Sequence, residues 1–562
     1  MFRSKTLKTA ALSAAMVVGL AACATEPGND NGNDGNADPA NNGNNNEENV
    51  GNDADGNNED NNDNDANTAG EGAEGGELII ARTSDAQALD PHGSNDVPSS
   101  DVQVNIYETL INQTEDMELE PLLATEWDLV EDDLWEFHLR DDVTFHDGSE
   151  LTADVVKANF DRVLDPDVAS PRSFLFNMIE EVIVVDDHTV QFQLEYPFAP
   201  FPSHLAHSGG GIISGDAIEA DYEEMENGGS PGDYINENPI GTGYFLFESW
   251  STGDEIVLNK NENYWGEEAK VDTVRFIVSP EDQSRLGQLL TGEAHIVDPV
   301  SPSDISMVEG EDGVSMYHTD TLSLSYVGFN TEKEPFDDPQ VRQAISMAIN
   351  KDEIIEAVLE GTGTPAVGPI GEQVFGFSDD VDPLPYDPER AQELLAEAGY
   401  EDGFETTIWT NDNREREQIA ELIQAYLSVI GVDVSIEVLE WGAYLDSTAA
   451  GDHDMFILGW VTVTGDADYG MYSLFHSSQH GDPGNRSFLA NDELDEILDQ
   501  AREEADEATR EDLYEQAMEI LVEDAPMLYL YHPEYNVGVR DEVQGLWKHP
   551  NGLLQLRDVT IN

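Results

Sequence analysis

Residues 406–438 carry the pattern that most narrows the fold. Thr406 to Trp409 reads as a short strand. Ile419, Leu422, Ile423, Tyr426, Leu427 and Ile430 then recur at helical spacing, Gly431 stops the helix, and Val432, Val434, Ile436 and Val438 alternate as a second strand. A helix lying between two strands is the unit from which parallel sheets are built, because the crossover must be long enough to bring the chain back to the same edge. Other segments keep this alternation. Glu77 to Ala81 reads as a buried strand, and Trp135, Phe137 and Leu139 alternate with polar neighbours. Thr152 caps a helix with Val156, Phe160, Val163 and Leu164 on one face, stopped by Pro166. Residues 182–194 suggest a hairpin turning at Asp186-Asp187. One further helix carries Val341, Ile345, Ala348 and Ile349; another follows Asp387-Pro388 and carries Ala391, Leu394, Leu395 and Ala398. The expected class is α/β, and about 480 residues of foldable chain suggest two or three lobes.

The N-terminal region reads differently. Arg3, Lys5 and Lys8 precede an apolar run from Ala10 to Leu20, long enough for a signal-peptide core and too short to span a bilayer. Leu20-Ala21-Ala22-Cys23 resembles a lipobox, and Cys23 is the sole cysteine, so it has no disulfide partner. A signal peptide over residues 1–22 and lipidation of Cys23 are expected; a plain secretion signal with an incidental cysteine is the alternative. Residues 24–76, rich in Asn, Gly, Asp and Glu, bury too little apolar surface to offset ordering entropy and read as a disordered spacer. Asp53-Ala54-Asp55-Gly56 lacks the remaining ligands of a calcium loop.

With 118 acidic against 24 basic residues, net charge −94, a nucleic-acid groove is excluded, because it needs clustered Lys and Arg. Such a surface suits high salt, which screens self-repulsion; it reports on habitat more than on ligand.

A search for chemistry returns little. Gly228-Gly229-Ser230-Pro231-Gly232 has the letters of a nucleophile elbow, but acidic residues precede it and a proline follows the serine, so it reads as a loop. No Gly-Lys pair exists for a Walker loop. His204 and His207, and His476 and His480, have metal-like spacings but lack the glutamate of a zinc hydrolase helix. No catalytic constellation, cofactor or resident metal is expected, and the chain is read as a non-enzyme.

Several segments together resemble the peptide, nickel and oligopeptide family of importer-binding proteins, family 5. They are Leu89-Asp90-Pro91-His92 with Ile106-Tyr107-Glu108-Thr109-Leu110; Asn238-Pro239-Ile240-Gly241-Thr242-Gly243-Tyr244-Phe245; and Asn261-Glu262-Asn263-Tyr264-Trp265. Asp338-Pro339-Gln340-Val341-Arg342, Tyr386-Asp387-Pro388-Glu389, Gly459-Trp460 and Ala525-Pro526 complete the series. The resemblance implies a class II periplasmic-binding-protein-like fold of the large type, with two lobes around a cleft plus an extra domain. On that template residues 77–113, 216–322 and 533–562 form lobe I, residues 114–215 the extra domain, and residues 323–532 lobe II.

The resemblance further implies a non-catalytic, monomeric, lipid-anchored binding protein on the outer face of the membrane. It would deliver ligand to the permease and ATPase subunits of an ATP-binding-cassette importer. Dipeptide and oligopeptide binders of the family place an Asp three residues after the Gly-Trp tryptophan to pair with the ligand ammonium; here that position is Val463. Asp466 and Asp468 follow, in a spacing closer to the glutathione-binding branch, and either is a candidate for the ammonium. Arg486 is a candidate for a ligand carboxylate. Trp460, Trp441 and Tyr326 are candidate cleft walls, and Asn95, Ser99 and Ser100 candidate hydrogen-bonding groups. A short peptide, with glutathione among the options, is the expected ligand. A nickel chelate held by His92, His476 or His480, and a secreted hydrolase using Ser230, are the competing readings.

Overall fold

The structure is a computed structural model describing residues 75–481 and 484–562. The expected signal peptide, Cys23 and nearly all of the spacer lie outside the described residues.

One mixed sheet of twelve strands organises the fold. In its first half, Glu77–Arg82 lies parallel to both Thr273–Val278 and Ile296–Asp298, and Glu255–Lys260 and Phe245–Ser251 continue outward antiparallel. In its second half, Ser323–Phe329 pairs antiparallel with Met455–Val461, which leads to Glu405–Asn411 and Asp433–Leu439. Those last two strands are parallel, joined by the helix Arg414–Val429, as the strand–helix–strand pattern predicts. The helix begins where the Asn413 side chain caps it, and Gly431 follows its end at φ +88°.

The strand Met527–Arg540 joins the halves. Its first residues pair with Ser323–Phe329 and its last with Val314–Asp320, so two antiparallel segments cross from one lobe to the other. Between Tyr531 and Glu534 the ladder to residues 314–329 is interrupted, while Gly363–Pro365 pairs with Tyr531, His532 and Pro533. Pro533 has no N–H to give there, and the Thr321 hydroxyl donates to the Pro533 carbonyl at 2.9 Å.

Residues between 110 and 212 build a separate core. A four-stranded antiparallel sheet packs the helix Ala153–Val163 over Phe137, Phe160, Phe176, Phe192 and Phe201, with edge-to-face ring contacts such as Phe160–Phe192 at 5.0 Å. The Thr152 cap, the inward Trp135, Phe137 and Leu139, and a hairpin of Ile179–Asp186 and Thr189–Leu194 all appear as the periodicity indicates. Arg162 of this helix is buried and donates to Asp90 (2.7 Å) and Asp221 (2.8 Å), tying the Leu89-Asp90-Pro91-His92 segment to the helix Gly215–Glu226.

Local rules explain the recurring motifs. Asp338 and Asp387 cap helices whose first residue is proline. A Cβ on Gly243 would stand 2.7 Å from the Ile106 carbonyl, which accepts the Gly243 N–H at 2.9 Å, so only glycine fits this crossing. One expected helix is shorter than its pattern: Pro339–Met347 stops before Ile349, because Asn350 caps the next helix, Lys351–Leu359. Ala348 and Ile349 are buried all the same.

Candidate functional site

The crossing strands, the first lobe and the phenylalanine-cored domain line two open hollows. A cavity of about 340 Å³ is walled by His318, Thr319, Asp320 and Glu534 of the crossing strands, by Glu115 and Asp116, by Gln373 and by Pro550. A larger one of about 560 Å³, reaching Tyr107, Glu108 and Trp547, shares the Glu115 wall. Both are of ligand size. The smaller carries four carboxylates and one imidazole.

Above this space the second lobe presents the end of the strand Met455–Val461 and the segment after it. Trp460 is half-buried and stacks on Tyr469 at 5.3 Å, with its indole N–H buried and unpartnered. Tyr469 in turn meets Phe174, at 6.3 Å between ring centroids. Val97, Phe174, Trp441 and Val461 all remain exposed. Val463, at the position of the family's ammonium-binding Asp, packs against the phenylalanine-rich core.

The carboxylates expected to replace that Asp are engaged elsewhere. Asp466 is 2% exposed, and both its oxygens accept from Arg510 Nη2 at 2.8 and 2.9 Å. Asp468 is 3% exposed and receives a two-pronged contact from Arg502 Nε and Nη2, each at 2.9 Å. Burial disfavours both guanidinium charges, yet Asp466 and Asp468 more than offset it and hold Arg510 and Arg502 above the ordinary arginine range. Arg502 also lies 3.3 Å from the Tyr472 ring centroid. These are interior ion pairs that fix the segment 466–472, and in this arrangement neither carboxylate faces a ligand.

Three more candidates have interior places. Arg486 is buried and donates to the Leu445 carbonyl (2.6 Å) and the Thr448 hydroxyl (3.0 Å), anchoring the helix Trp441–Ala449. Tyr326 has no exposed surface and meets Phe456 edge-on in the lobe core. The Ser99 hydroxyl is buried, accepts from Gln87 N and donates to Asp96. By contrast Trp441 is 43% exposed, and the Arg416 guanidinium lies over its ring at 5.6 Å.

Asn95 and Ser100 do come together, on an arginine that the sequence reading missed. Arg172 Nη1 donates to Asn95 Oδ1 and Nη2 to the Ser100 hydroxyl, both at 2.7 Å, and its Nε is buried with no partner. Arg172 is 3% exposed, and burial lowers it to about 10, against partial support from the Asp96 charge. Arg416 is the second missed cation: its Nη1 donates to Asn411 Oδ1 at 2.9 Å, and its Nη2 lies 3.7 Å from where a Cβ on Gly459 would stand. Among the described residues, neither Arg172 nor Arg416 has a carboxylate within ion-pair distance. The scarcity of bases, 24 against 118 acids, was the signal that could have directed attention to each arginine in turn.

The competing chemistries find little support in the geometry. Gly228 to Gly232 joins the helices Gly215–Glu226 and Asp233–Glu237, so Ser230 does not sit on a strand-to-helix elbow. His204 Nδ1 bonds the Leu175 carbonyl, His476 stacks on Tyr472 at 4.2 Å, and His480 Nε2 bonds the Leu489 carbonyl. His92 Nδ1 lies 3.1 Å from Arg162. Among the described residues, no group of three or more His, Cys, Asp or Glu is placed to hold a metal ion. Among them, too, no helix is long and apolar enough to cross a membrane.

The model for bacterial extracellular solute-binding proteins, family 5 Middle, matches residues 118–482. The glutathione-binding protein GsiB of Pectobacterium atrosepticum is 32% identical over 494 residues, 86% of this chain and 94% of its own length. The dipeptide-binding protein of Escherichia coli is 34% identical over 469 residues, 79% of this chain and 86% of its own. Among solved structures, DppA of Helicobacter pylori in complex with the peptide STSA is 34% identical, with TM-score 0.72, covering 87% of this chain and 98% of its own. HbpA2 of Haemophilus parasuis is 30% identical with TM-score 0.80, covering 87% and 100%. The resemblance seen in the motifs, the two-lobed α/β sheet and these matches agree: the chain belongs to family 5 of the bacterial extracellular solute-binding proteins.

Proposed function

We propose that this protein captures short peptides outside the cytoplasm, tethered by a lipid on Cys23, and hands them to the permease of an ATP-binding-cassette importer. Closure of the lobes about the crossing strands traps the ligand, because only the closed state offers contacts from both sides. The observation that carries this reading is the charge left uncompensated around the cleft. Arg416, on Trp441 and beside Gly459, has no carboxylate within ion-pair distance among the described residues and suits a peptide carboxylate. The cavity of about 340 Å³ walled by Glu115, Asp116, Asp320 and Glu534 suits an ammonium, which Val463 cannot hold. A peptide carries both charges, and its backbone is read without regard to side chain. The relatives named for dipeptide and glutathione binding support the ligand class.

Calorimetry on residues 24–562 with dialanine, trialanine, glutathione and Ni²⁺ tests this. Peptide heats are expected, weakened roughly 10- to 100-fold by Arg416→Met, the loss of one charge-assisted contact. A tight Ni²⁺ response with no peptide heat sinks the reading. So does a peptidase or esterase activity abolished by Ser230→Ala.

A further inference from the structure

Resting on that reading, we infer that Arg172, with Asn95 and Ser100, forms a receptor for a second ligand carboxylate, so that the peptides this protein selects carry an acidic group besides their C-terminus.

Comparison with three other buried arginines, Arg162, Arg285 and Arg342, supports this. Arg162 meets two carboxylates. Arg285 is filled by the carbonyls of Ser279 and Pro299 and by Asp282. Arg342 binds the carbonyls of Phe336, Asp524 and Ala525 and the Asp524 side chain. Each of these guanidiniums is compensated by charge or by several backbone oxygens. Arg172 has two neutral side-chain partners and, among the described residues, no carboxylate within ion-pair distance. A charge held this way in low dielectric is unfavourable unless an anion completes it. The chain's carboxylates outnumber its bases roughly five to one, so the lack of one here is not for want of supply.

The surroundings suit an anion from outside. Asn95, bonded to the guanidinium, and Phe174, two residues along the chain, are exposed, so the rim is open. The cover comes from the second lobe: Tyr469 lies against Phe174 and within electrostatic reach of Arg172. The arginine is thus walled by groups from both sides of the cleft, as a ligand contact made on closure must be. Asn95 and Ser100 orient the guanidinium and leave one hydrogen on each terminal nitrogen for an anion. Arg416 lies beside Gly459, the neighbour of Trp460, whose ring stacks on Tyr469. Two separate cations imply a ligand with two carboxylates. On a protein of net charge −94, such a ligand binds only where a local cation offsets the general repulsion.

The test uses tripeptide pairs differing by one charge: Glu-Ala-Ala and Gln-Ala-Ala, Ala-Glu-Ala and Ala-Gln-Ala, Ala-Ala-Glu and Ala-Ala-Gln, with glutathione as a γ-linked probe. Calorimetry is run at one fixed salt concentration on residues 24–562. For at least one pair, or for glutathione against trialanine, the acidic member is expected to bind about 10- to 100-fold tighter. Arg172→Met, which keeps the stem and loses the charge, should bring that ratio to about one while leaving the neutral peptide within about threefold. Arg172→Lys should retain part of the preference. The wild-type ratios stand on their own should Arg172→Met fail to fold. If tripeptides bind the wild type without any preference for the acidic member, the inference falls and the peptide reading survives. A preference that persists in folded Arg172→Met also overturns it. If no peptide binds, both fall.

Discussion

Asp466→Asn separates two roles for the same carboxylate, an ammonium clamp and an interior ion pair. Asn is nearly isosteric and keeps an oxygen for the Asp468 N–H, which now bonds Asp466 Oδ1 at 3.0 Å. It removes the charge facing Arg510, whose side chain is 7% exposed. Breaking a buried pair from one side costs about 3–5 kcal/mol, because the remaining charge stays buried. Arg510 keeps three supports, the Ala501 carbonyl at 3.1 Å, the Tyr514 hydroxyl at 3.3 Å and the Phe375 ring at 4.7 Å, so the lower end, about 3 kcal/mol, is expected. For a folded unit of this size that corresponds to a fall in Tm of roughly 3–6 °C. The assay is a double-mutant cycle with Arg510→Met, followed by urea and thermal melts at one salt concentration. Peptide affinity of the folded fraction is measured alongside. A coupling of about 2 kcal/mol with affinity within about threefold of wild type is expected. The reasoning is refuted if the two changes add within about 0.5 kcal/mol. It is equally refuted if Asp466→Asn leaves Tm unchanged and lowers peptide affinity about 100-fold.

Other perturbations have equally definite outcomes. Burial raises Asp101 to about 6, with Asp298 adding to the rise and Lys548 opposing it. Since its folded pKa lies above the unfolded value, its contribution is full below about pH 4 and is lost as pH rises through about 6. Asp101→Asn, which keeps the acceptor for the Leu554 N–H, should therefore raise stability above pH 6 by about 2–3 kcal/mol and flatten the pH profile of urea midpoints between about 4 and 6. Glu108 accepts from the Thr242 and Tyr264 hydroxyls and the Trp265 indole. Glu108→Ala strands all three donors and should cost about 3 kcal/mol or more, whereas Glu108→Gln, keeping one oxygen, should cost less; the two chevron-free urea curves decide. Gly243→Ala forces a methyl against the Ile106 carbonyl and should lower stability by about 1–3 kcal/mol, read as a drop in the urea midpoint at unchanged m-value.

What was legible in the sequence followed from local physics. The strand–helix–strand of residues 406–438 is written in two clean periodicities with glycine and asparagine at the boundaries, and it appears with its parallel register. The glycine and Asp-Pro motifs likewise encode local crossings and caps. The candidate site was legible only in part, because its electrostatics depend on partners far along the chain. Nothing near Asp466 or Asp468 reveals that Arg510 and Arg502, 44 and 34 residues later, will occupy them. Nor does the sequence around Arg172 show that its neighbours will be Asn95 and Ser100, 77 and 72 residues earlier. Tyr326 belongs to a strand whose alternation does not tell which face meets the cleft; the lobe core claims it. Trp441 was identifiable, being an aromatic at a helix start, but its partner Arg416 emerges only when the parallel strands bring the two helices to one edge.

The strand Met527–Arg540 has a mechanical meaning. A ribbon of two antiparallel plies is stiff in tension and in its own plane, and its rungs to residues 314–329 lapse beside Pro533, where Gly363–Pro365 takes up the pairing. The same construction makes length in this ribbon far less negotiable than length in a surface loop. One residue inserted between Tyr531 and Glu534 would reverse the facing of everything beyond it, turning Val537 and Val539 out of the first lobe's core.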